Sequence, residues 1–165
     1  MHNLSNALFK KGHTVTVITS YTHYRKLKSF KDKLPYQIIS LPPRIIFLLS
    51  NFPLLGMKVL NLFFDFVQSK QSFDFWHISF AYPLGVYSIR YCKKKNIPHA
   101  LMCHGEDIQV NKYLNYGIRI NKKIDNLVKE WLPKAQSLIA NSESMVKEYK
   151  KLNVNVNKIS LIPFG

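Results

Sequence analysis

The sequence predicts an α/β fold, a parallel sheet with helices on both faces, and three observations carry that reading. Short apolar runs recur along the 165 residues, each bounded by Gly, Pro, Asn or Ser. Between them lie segments whose apolar residues are spaced by three and four, the period of an amphipathic helix. The two kinds of segment alternate over the whole length, with no internal repeat or low-complexity stretch to compete with them.

Taken in order, the first element is a helix, because Leu4, Ala7 and Leu8 recur at helical spacing and Gly12 stands where a helix-ending glycine belongs. His13 to Thr19 alternates as a strand, and a second strand is expected at about Tyr36 to Leu41. One long helical region follows from about Ile45 to Lys70. "FDFWHISF", Phe73 to Phe80, reads as the third strand. Pro83 to Lys95 reads as a helix whose basic end, Lys93 to Lys95, suits the negative pole of the helix dipole. Pro98 to Cys103 is the fourth strand, and a loop carrying His104 to Gly117 leads to a helix at about Ile120 to Lys134. Ile124, Leu127, Val128, Trp131 and Leu132 form the apolar stripe of that helix. Ser137 to Ala140 is the fifth strand, Ser142 caps a helix bearing Met145, Val146, Tyr149 and Leu152, and Lys158 to Ile162 is the sixth strand. The alternation is that of a Rossmann-like sheet. Such domains ordinarily open on a strand, and this chain opens on a helix, so a first strand is expected to be missing before Met1.

Composition limits the function classes. With 47% apolar and 13% aromatic residues the chain has the material for a core, and disorder is not expected. Its 24 Lys and Arg against 9 Asp and Glu give a formal charge of +15, spread along the chain, which favours an anionic partner. Anionic lipid and a phosphate-bearing substrate both fit. Nucleic acid is disfavoured, since no helix-turn-helix, zinc-finger or RRM-type signature accompanies the charge. The two cysteines, Cys92 and Cys103, have no CxxC spacing and read as buried thiols of a reducing cytoplasm. The apolar region Ile38 to Val67 is interrupted by Pro42, Pro43, Arg44, Asn51, Pro53, Lys58 and Asp65. It therefore lacks the ~18 clean apolar residues of a spanning helix. Two readings of it stay open: a core-facing helix, or one lying in a membrane surface through Leu48, Leu49, Phe52, Leu54, Leu55, Leu60, Phe63 and Phe64, beside Arg44 and Lys58.

In open parallel sheets ligands bind beyond the carboxyl ends of the strands. That criterion selects "YPLG" (Tyr82 to Gly85), "HGED" (His104 to Asp107) and "NSES" (Asn141 to Ser144). His104, Gly105, Glu106 and Asp107 are the densest ionisable cluster: the imidazole is a donor or base, and Gly105 allows close approach to the backbone. The same four residues would also serve as a simple turn cap. His104-x-Glu106 matches half of a zinc deaminase signature, but no cysteine follows Cys103, so no metal site is expected. Ser142 and Ser144 open a helix, where their hydroxyls and free N–H groups suit a phosphate or sugar oxygen, although capping accounts for Ser142 equally well. There is no GxGxxG, Walker loop or GxSxG elbow, which disfavours a self-contained dinucleotide, ATP or serine-hydrolase enzyme. The other histidines, His2, His13, His23, His77 and His99, read as structural or solvent-facing.

The segments "ALFKKGHTVTVITS", "FDFWHISFAYPLGVYSIRYCKKKNIPHALMCHGEDI", "YGIRINKKIDNLVKEWLPKAQSLIANSESMVKEY" and "NKISLIPFG", in this order and spacing, resemble the N-terminal domain of family 4 glycosyltransferases, enzymes of the two-domain GT-B fold. The resemblance is weakest from Tyr21 to Lys70. It implies transfer of a sugar from a nucleotide-sugar donor to an acceptor, with retention at the anomeric carbon and without metal or other cofactor. It also implies a catalytic role for His104 facing the donor sugar, with Gly105, Glu106 and Asp107 beside it. Ser142 and Ser144 match serines near the acceptor or the interdomain cleft, and Tyr82, Gly85 and Arg119 are further carry-overs.

On that resemblance residues 1–165 form a single acceptor-side domain that lacks its first strand. The nucleotide-sugar domain expected after "ISLIPFG" would come from elsewhere or from a partner chain, and the chain alone would be incompetent for transfer. The basic surface and the Ile45 to Phe66 region would suit a glycan or lipid-linked acceptor, with the protein cytoplasmic and peripheral on the inner face of the membrane. A non-catalytic module gripping an anionic glycan or membrane is the competing reading.

Overall fold

The computed structural model describes residues 2–163. Met1 and the Phe164-Gly165 end of the closing "IPFG" lie outside the described residues. The chain divides into two compact units, residues 1–67 and 68–165, with the boundary inside the last turns of a helix.

The first unit contains α1 (His2–Lys10), β1 (Thr16–Thr19), α2 (Tyr21–Leu27), a 3₁₀ stretch at Lys28–Lys33, β2 (Gln37–Ser40), α3 (Ile45–Asn51) and most of α4 (Pro53–Lys70). β1 and β2 pair in parallel, Thr16 opposite Gln37 through Thr19 opposite Ser40. Two features depart from the sequence reading. The helix expected to run unbroken from Ile45 to Lys70 is two helices, because the ring of Pro53 bars helical backbone at the preceding residue. Phe52 accordingly sits at φ −132°, ψ 67°, and Pro53 opens α4, where its missing N–H costs nothing. The second departure is α2, which the sequence reading omitted; Ser20 caps it, its side chain accepting from the His23 N–H.

The second unit contains β3 (Trp76–Ser79), α5 (Leu84–Lys95), β4 (His99–Met102), α6 (Lys122–Trp131), β5 (Ser137–Ala140), α7 (Glu143–Lys151) and β6 (Ile159–Leu161). Its four strands are parallel and lie in sequence order. Among the described residues no hydrogen-bonded ladder joins this sheet to the β1–β2 pair. β4 is buried at every position, as expected of an interior strand of a parallel sheet covered by helices. α5 packs on β3 and β4, and α7 on β5 and β6. Leu101, Leu138, Ile89, Val86, Val128, Leu132 and Tyr149 are among the least accessible large side chains of this core.

The caps fall where the chemistry favours them. Asn121 accepts from the N–H groups of Lys123 and Ile124 at the start of α6. Asn96 takes the left-handed conformation after α5, so the three lysines before it lie beside the free carbonyls of the last turn.

At the amino end of this sheet His99 is buried and fully engaged. Its Nδ1 lies 2.9 Å from the Ile97 carbonyl and its Nε2 accepts from the Gln136 N–H at 3.2 Å. Burial lowers its pKa, the Ile97 bond opposes that, and the charges of Lys93 and Lys158 lower it further.

Candidate functional site

The carboxyl ends of β3, β4 and β5 bring "YPLG", "HGED" and "NSES" to one edge of the second unit. The edge is assembled by two buried side chains. Asp107 is only 3% exposed, and its carboxylate accepts the Ala81 N–H at 2.7 Å through Oδ2 and the His104 N–H at 2.8 Å through Oδ1. One acid thereby fixes the turn after β3 to the turn after β4. Tyr149, from α7, does the same for the next pair: its hydroxyl donates to the Ile139 carbonyl at 2.9 Å and accepts the Cys103 N–H at 3.1 Å. Burial, and then the neighbouring Cys103, push the Tyr149 phenol far above its ordinary range, so it stays protonated. Cys103 is likewise driven well up by burial and by Asp107, and Cys92 is pushed up to about 12 by burial; neither thiol is a nucleophile at neutral pH.

On this frame His104 is exposed at the rim, its ring stacked on Phe80 with centroids 4.6 Å apart and planes 36° apart. Phe80 is 52% exposed and has φ 69°, an uncommon backbone conformation for a bulky residue. Gly105 has φ 112°, a region that a residue with a side chain enters only under strain, and an added Cβ there would lie 3.4 Å from the Tyr116 hydroxyl. Glu106 is exposed, and its carbonyl accepts the Ile118 N–H at 3.0 Å, which closes the loop back on itself. His77, on β3, has an Nε2 that is buried with no hydrogen-bond partner among the described residues. Burial lowers its pKa, and the neighbouring His104 lowers it further.

The serine segment reaches the same edge. Ser142 caps α7 through a long bond from the Met145 N–H (3.4 Å), and its hydroxyl lies 3.3 Å from Asn141 Oδ1 and from Ser144 Oγ. Gln109 donates to Ser144 Oγ at 3.3 Å, so the loop after His104 and the start of α7 are in direct contact. This arrangement offers hydroxyls, an imidazole and a helix N-terminus to a polyhydroxylated or phosphorylated ligand.

Gly85 and Arg119, also singled out in the sequence, have packing and ion-pair partners of their own. At Gly85 a Cβ would fall 2.1 Å from the Phe80 carbonyl oxygen and 2.8 Å from Leu101, so the position serves close packing of α5 on the sheet. Arg119 bonds Asp125 through Nε at 2.9 Å and Nη2 at 2.8 Å, and its Nη1 donates to the Ile108 carbonyl; its side chain is 9% exposed. Burial alone would raise the Asp125 carboxyl, but hydrogen bonds and charge from Lys129 and Arg119 outweigh it and hold the carboxyl below its usual range. Tyr82 is partly exposed before α5. Among the described residues no group of three His, Cys, Asp or Glu stands close enough to hold a metal ion.

Two cavities, of about 540 and 400 Å³, border the amino ends of strands, one beside Thr14, Val15 and Gln37 and the other beside Pro98, His99 and Gln136. Neither is lined by His104 or Ser142, and the carboxyl edge is where a parallel sheet ends in helix N-termini and loops able to grip a ligand.

A model of the family described as Glycosyltransferase Family 4 matches residues 1–165. The chain belongs to glycosyltransferase family 4. The fold is also similar to that of a solved glycosyltransferase structure, Glycyrrhiza uralensis UGT73P12 complexed with glycyrrhetinic acid 3-O-monoglucuronide. The TM-score is 0.60 at 12% identity, covering 97% of this chain and 44% of that one. At that identity the likeness concerns the fold alone, and this chain spans less than half the length of that neighbour. No curated protein sequence matches the chain. The α/β architecture read from the sequence, parallel sheets flanked by helices in the Rossmann-like manner, is thus that of a GT-B glycosyltransferase domain.

Phe80, Gln109 and Tyr149 contribute to this edge and did not stand out in the sequence. Tyr149 was visible only as part of the apolar stripe of α7, and Phe80 only as the last residue of a strand.

Proposed function

We propose that this family 4 domain is the acceptor-side half of an enzyme that moves a sugar from a nucleotide-sugar donor onto an acceptor hydroxyl, with retention and without metal. A second domain, in the same chain or a partner, holds most of the nucleotide. The bond from the anomeric carbon to the diphosphate oxygen breaks as the bond to the acceptor oxygen forms, and the acceptor's proton leaves with the departing nucleoside diphosphate. His104 orients the donor sugar at the rim, while Ser142 and Ser144 present hydroxyls and the positive end of α7 to oxygens of the substrate. Electrostatic stabilisation of the departing diphosphate supplies the largest part of the acceleration.

The observation that carries this reading is the assembly of the His104-Gly105 turn and the Ser142–Ser144 segment at one sheet edge, joined by the Gln109–Ser144 bond. The test is transfer from UDP- and GDP-sugars to glycan and lipid-linked acceptors, with the chain alone and with the chain joined to a GT-B nucleotide-binding domain. The joined protein is expected to turn over and the chain alone is not. His104→Ala in the joined protein is expected to lower kcat about 100-fold. Robust turnover by the chain alone would remove the need for a second domain, and undiminished turnover by His104→Ala would remove the role given to His104.

A further inference from the structure

α3 and α4 turn on one another at Phe52, and this hairpin carries exposed as well as buried apolar side chains. Gly56, Leu60, Phe64 and Val67 make the buried stripe of α4, together with Ile45 and Leu49 of α3. Leu54, Leu55 and Leu62 stand on the other side of α4, 75%, 52% and 69% exposed, with Lys58 among them. At the corner between the helices Phe47 and Phe52 are each more than half exposed and pack on one another edge to face, 6.4 Å between centroids. The two readings left open for this segment thus divide between its sides: Leu49, Leu60 and Phe64 face the core, whereas Phe52, Leu54 and Leu55 face outward.

α3 and α4 approach each other closely at Gly56. A Cβ on Gly56 would fall 2.6 Å from the Leu49 nitrogen and 2.7 Å from the Leu48 carbonyl carbon, so the α3 backbone lies directly against α4. α4 carries apolar side chains on its outward side as well as in its buried stripe, with Lys58 and Asp65 interspersed, the pattern of a helix that lies at an interface.

Charge decides between coverings. Residues 1–67 carry nine Lys and Arg against two Asp, and Arg44 and Lys58 are exposed on the hairpin itself. A second copy seated on this face would bring like charges together, whereas an anionic lipid surface pairs with them. Among the described residues no helix is long and apolar enough to cross a membrane, so the contact is one of lying on the surface.

We propose that the outward face of the α3–α4 hairpin lies in the interfacial layer of an anionic bilayer, with Phe47, Phe52, Leu54, Leu55 and Leu62 entering the acyl boundary while Arg44 and Lys58 meet the headgroup phosphates. This goes beyond the transfer chemistry and stands or falls without it, because the test needs no sugar.

The full 165-residue chain is sedimented with phosphatidylcholine vesicles, with and without about one-third phosphatidylglycerol. It is expected to cosediment with the anionic vesicles and to be released by salt. Leu55→Gln with Leu62→Gln is expected to reduce the bound fraction about tenfold while leaving the circular dichroism and urea midpoint in place. Lys58→Glu, which leaves the apolar stripe intact, is expected to weaken binding to anionic vesicles and not to neutral ones. The proposal is overturned if the parent stays in the supernatant with anionic vesicles, or if neither variant changes the bound fraction. It is equally overturned if sedimentation velocity shows a parent dimer that the double variant dissociates while vesicle binding is unchanged, since the face would then belong to a second copy.

Discussion

The carboxyl edge of the second unit and the outer face of the α3–α4 hairpin in the first represent opposite solutions to the same problem of satisfying surface groups. At the edge, polar groups are consumed internally: Asp107 takes two backbone N–H groups and Tyr149 bridges an N–H and a carbonyl. What is left over, His104, Ser142 and Ser144, projects from segments that these buried groups anchor. On the hairpin the apolar side chains exceed what its buried stripe encloses, and Leu54 and Leu62 remain largely in water. The edge is a rigid frame with a few groups to spare, and the hairpin is a face whose energetics are completed by something else. Rigidity at the edge suits orientation of a substrate, where small displacements are costly; an apolar face suits a contact that need only exclude water.

That contrast breaks most severely at Asp107. Asp107→Ala leaves the Ala81 and His104 N–H groups buried without an acceptor, and the expected loss is about 4 kcal/mol in urea unfolding. Leu62→Gln on the hairpin is expected to change the same midpoint by no more than about 0.5 kcal/mol. Equal effects of the two would mean that the edge is not the framework described.

Tyr149→Phe probes one bridge without opening a cavity. It removes the link between the Cys103 N–H and the Ile139 carbonyl, and the expected loss is about 2 kcal/mol, with the secondary structure seen by circular dichroism preserved.

Acid provides the mildest perturbation. His99 is buried and His77 partly so, both with lowered pKa values, so the folded state resists the protons that the unfolded chain accepts near its ordinary histidine value of about 6.5. Their stabilising contribution is present above that pH and is lost as pH falls from there toward the lowered values. The urea midpoint should therefore decline between about pH 7 and 5.5, and His99→Gln should make that decline shallower; a slope identical to the parent's would show that His99 does not contribute to it.

The sheet was legible because parallel strands buried on both sides leave short apolar runs that caps and glycines punctuate, as at Pro98 to Cys103 and Asn96. The break at Phe52 was written in Pro53 but was overridden in the reading by the long apolar stretch around it. α2 was obscured because "YTHYRKL" has no buried residue to give it a periodic stripe. The rim of the site was legible as clusters, "HGED" and "NSES". Its supports were not, because they act on backbone atoms distant in sequence: Asp107 reaches Ala81 across 26 residues and Tyr149 reaches Cys103 across 46. Side-chain chemistry announces itself in a sequence, whereas the backbone group it will satisfy does not. For the same reason the sequence did not show that Arg119, a carry-over from the family resemblance, bonds Asp125 and the Ile108 carbonyl.

The double acceptance by Asp107 also has a consequence for hydrogen exchange. The amide protons of Ala81 and His104 belong to different loops, and loop amides ordinarily exchange early through independent fluctuations. Here both are held by one carboxylate, so a single opening event that withdraws it exposes both to solvent. Their exchange with deuterium should be slow for loop positions and should quicken together, making the pair a direct reading of how often the rim around His104 comes apart.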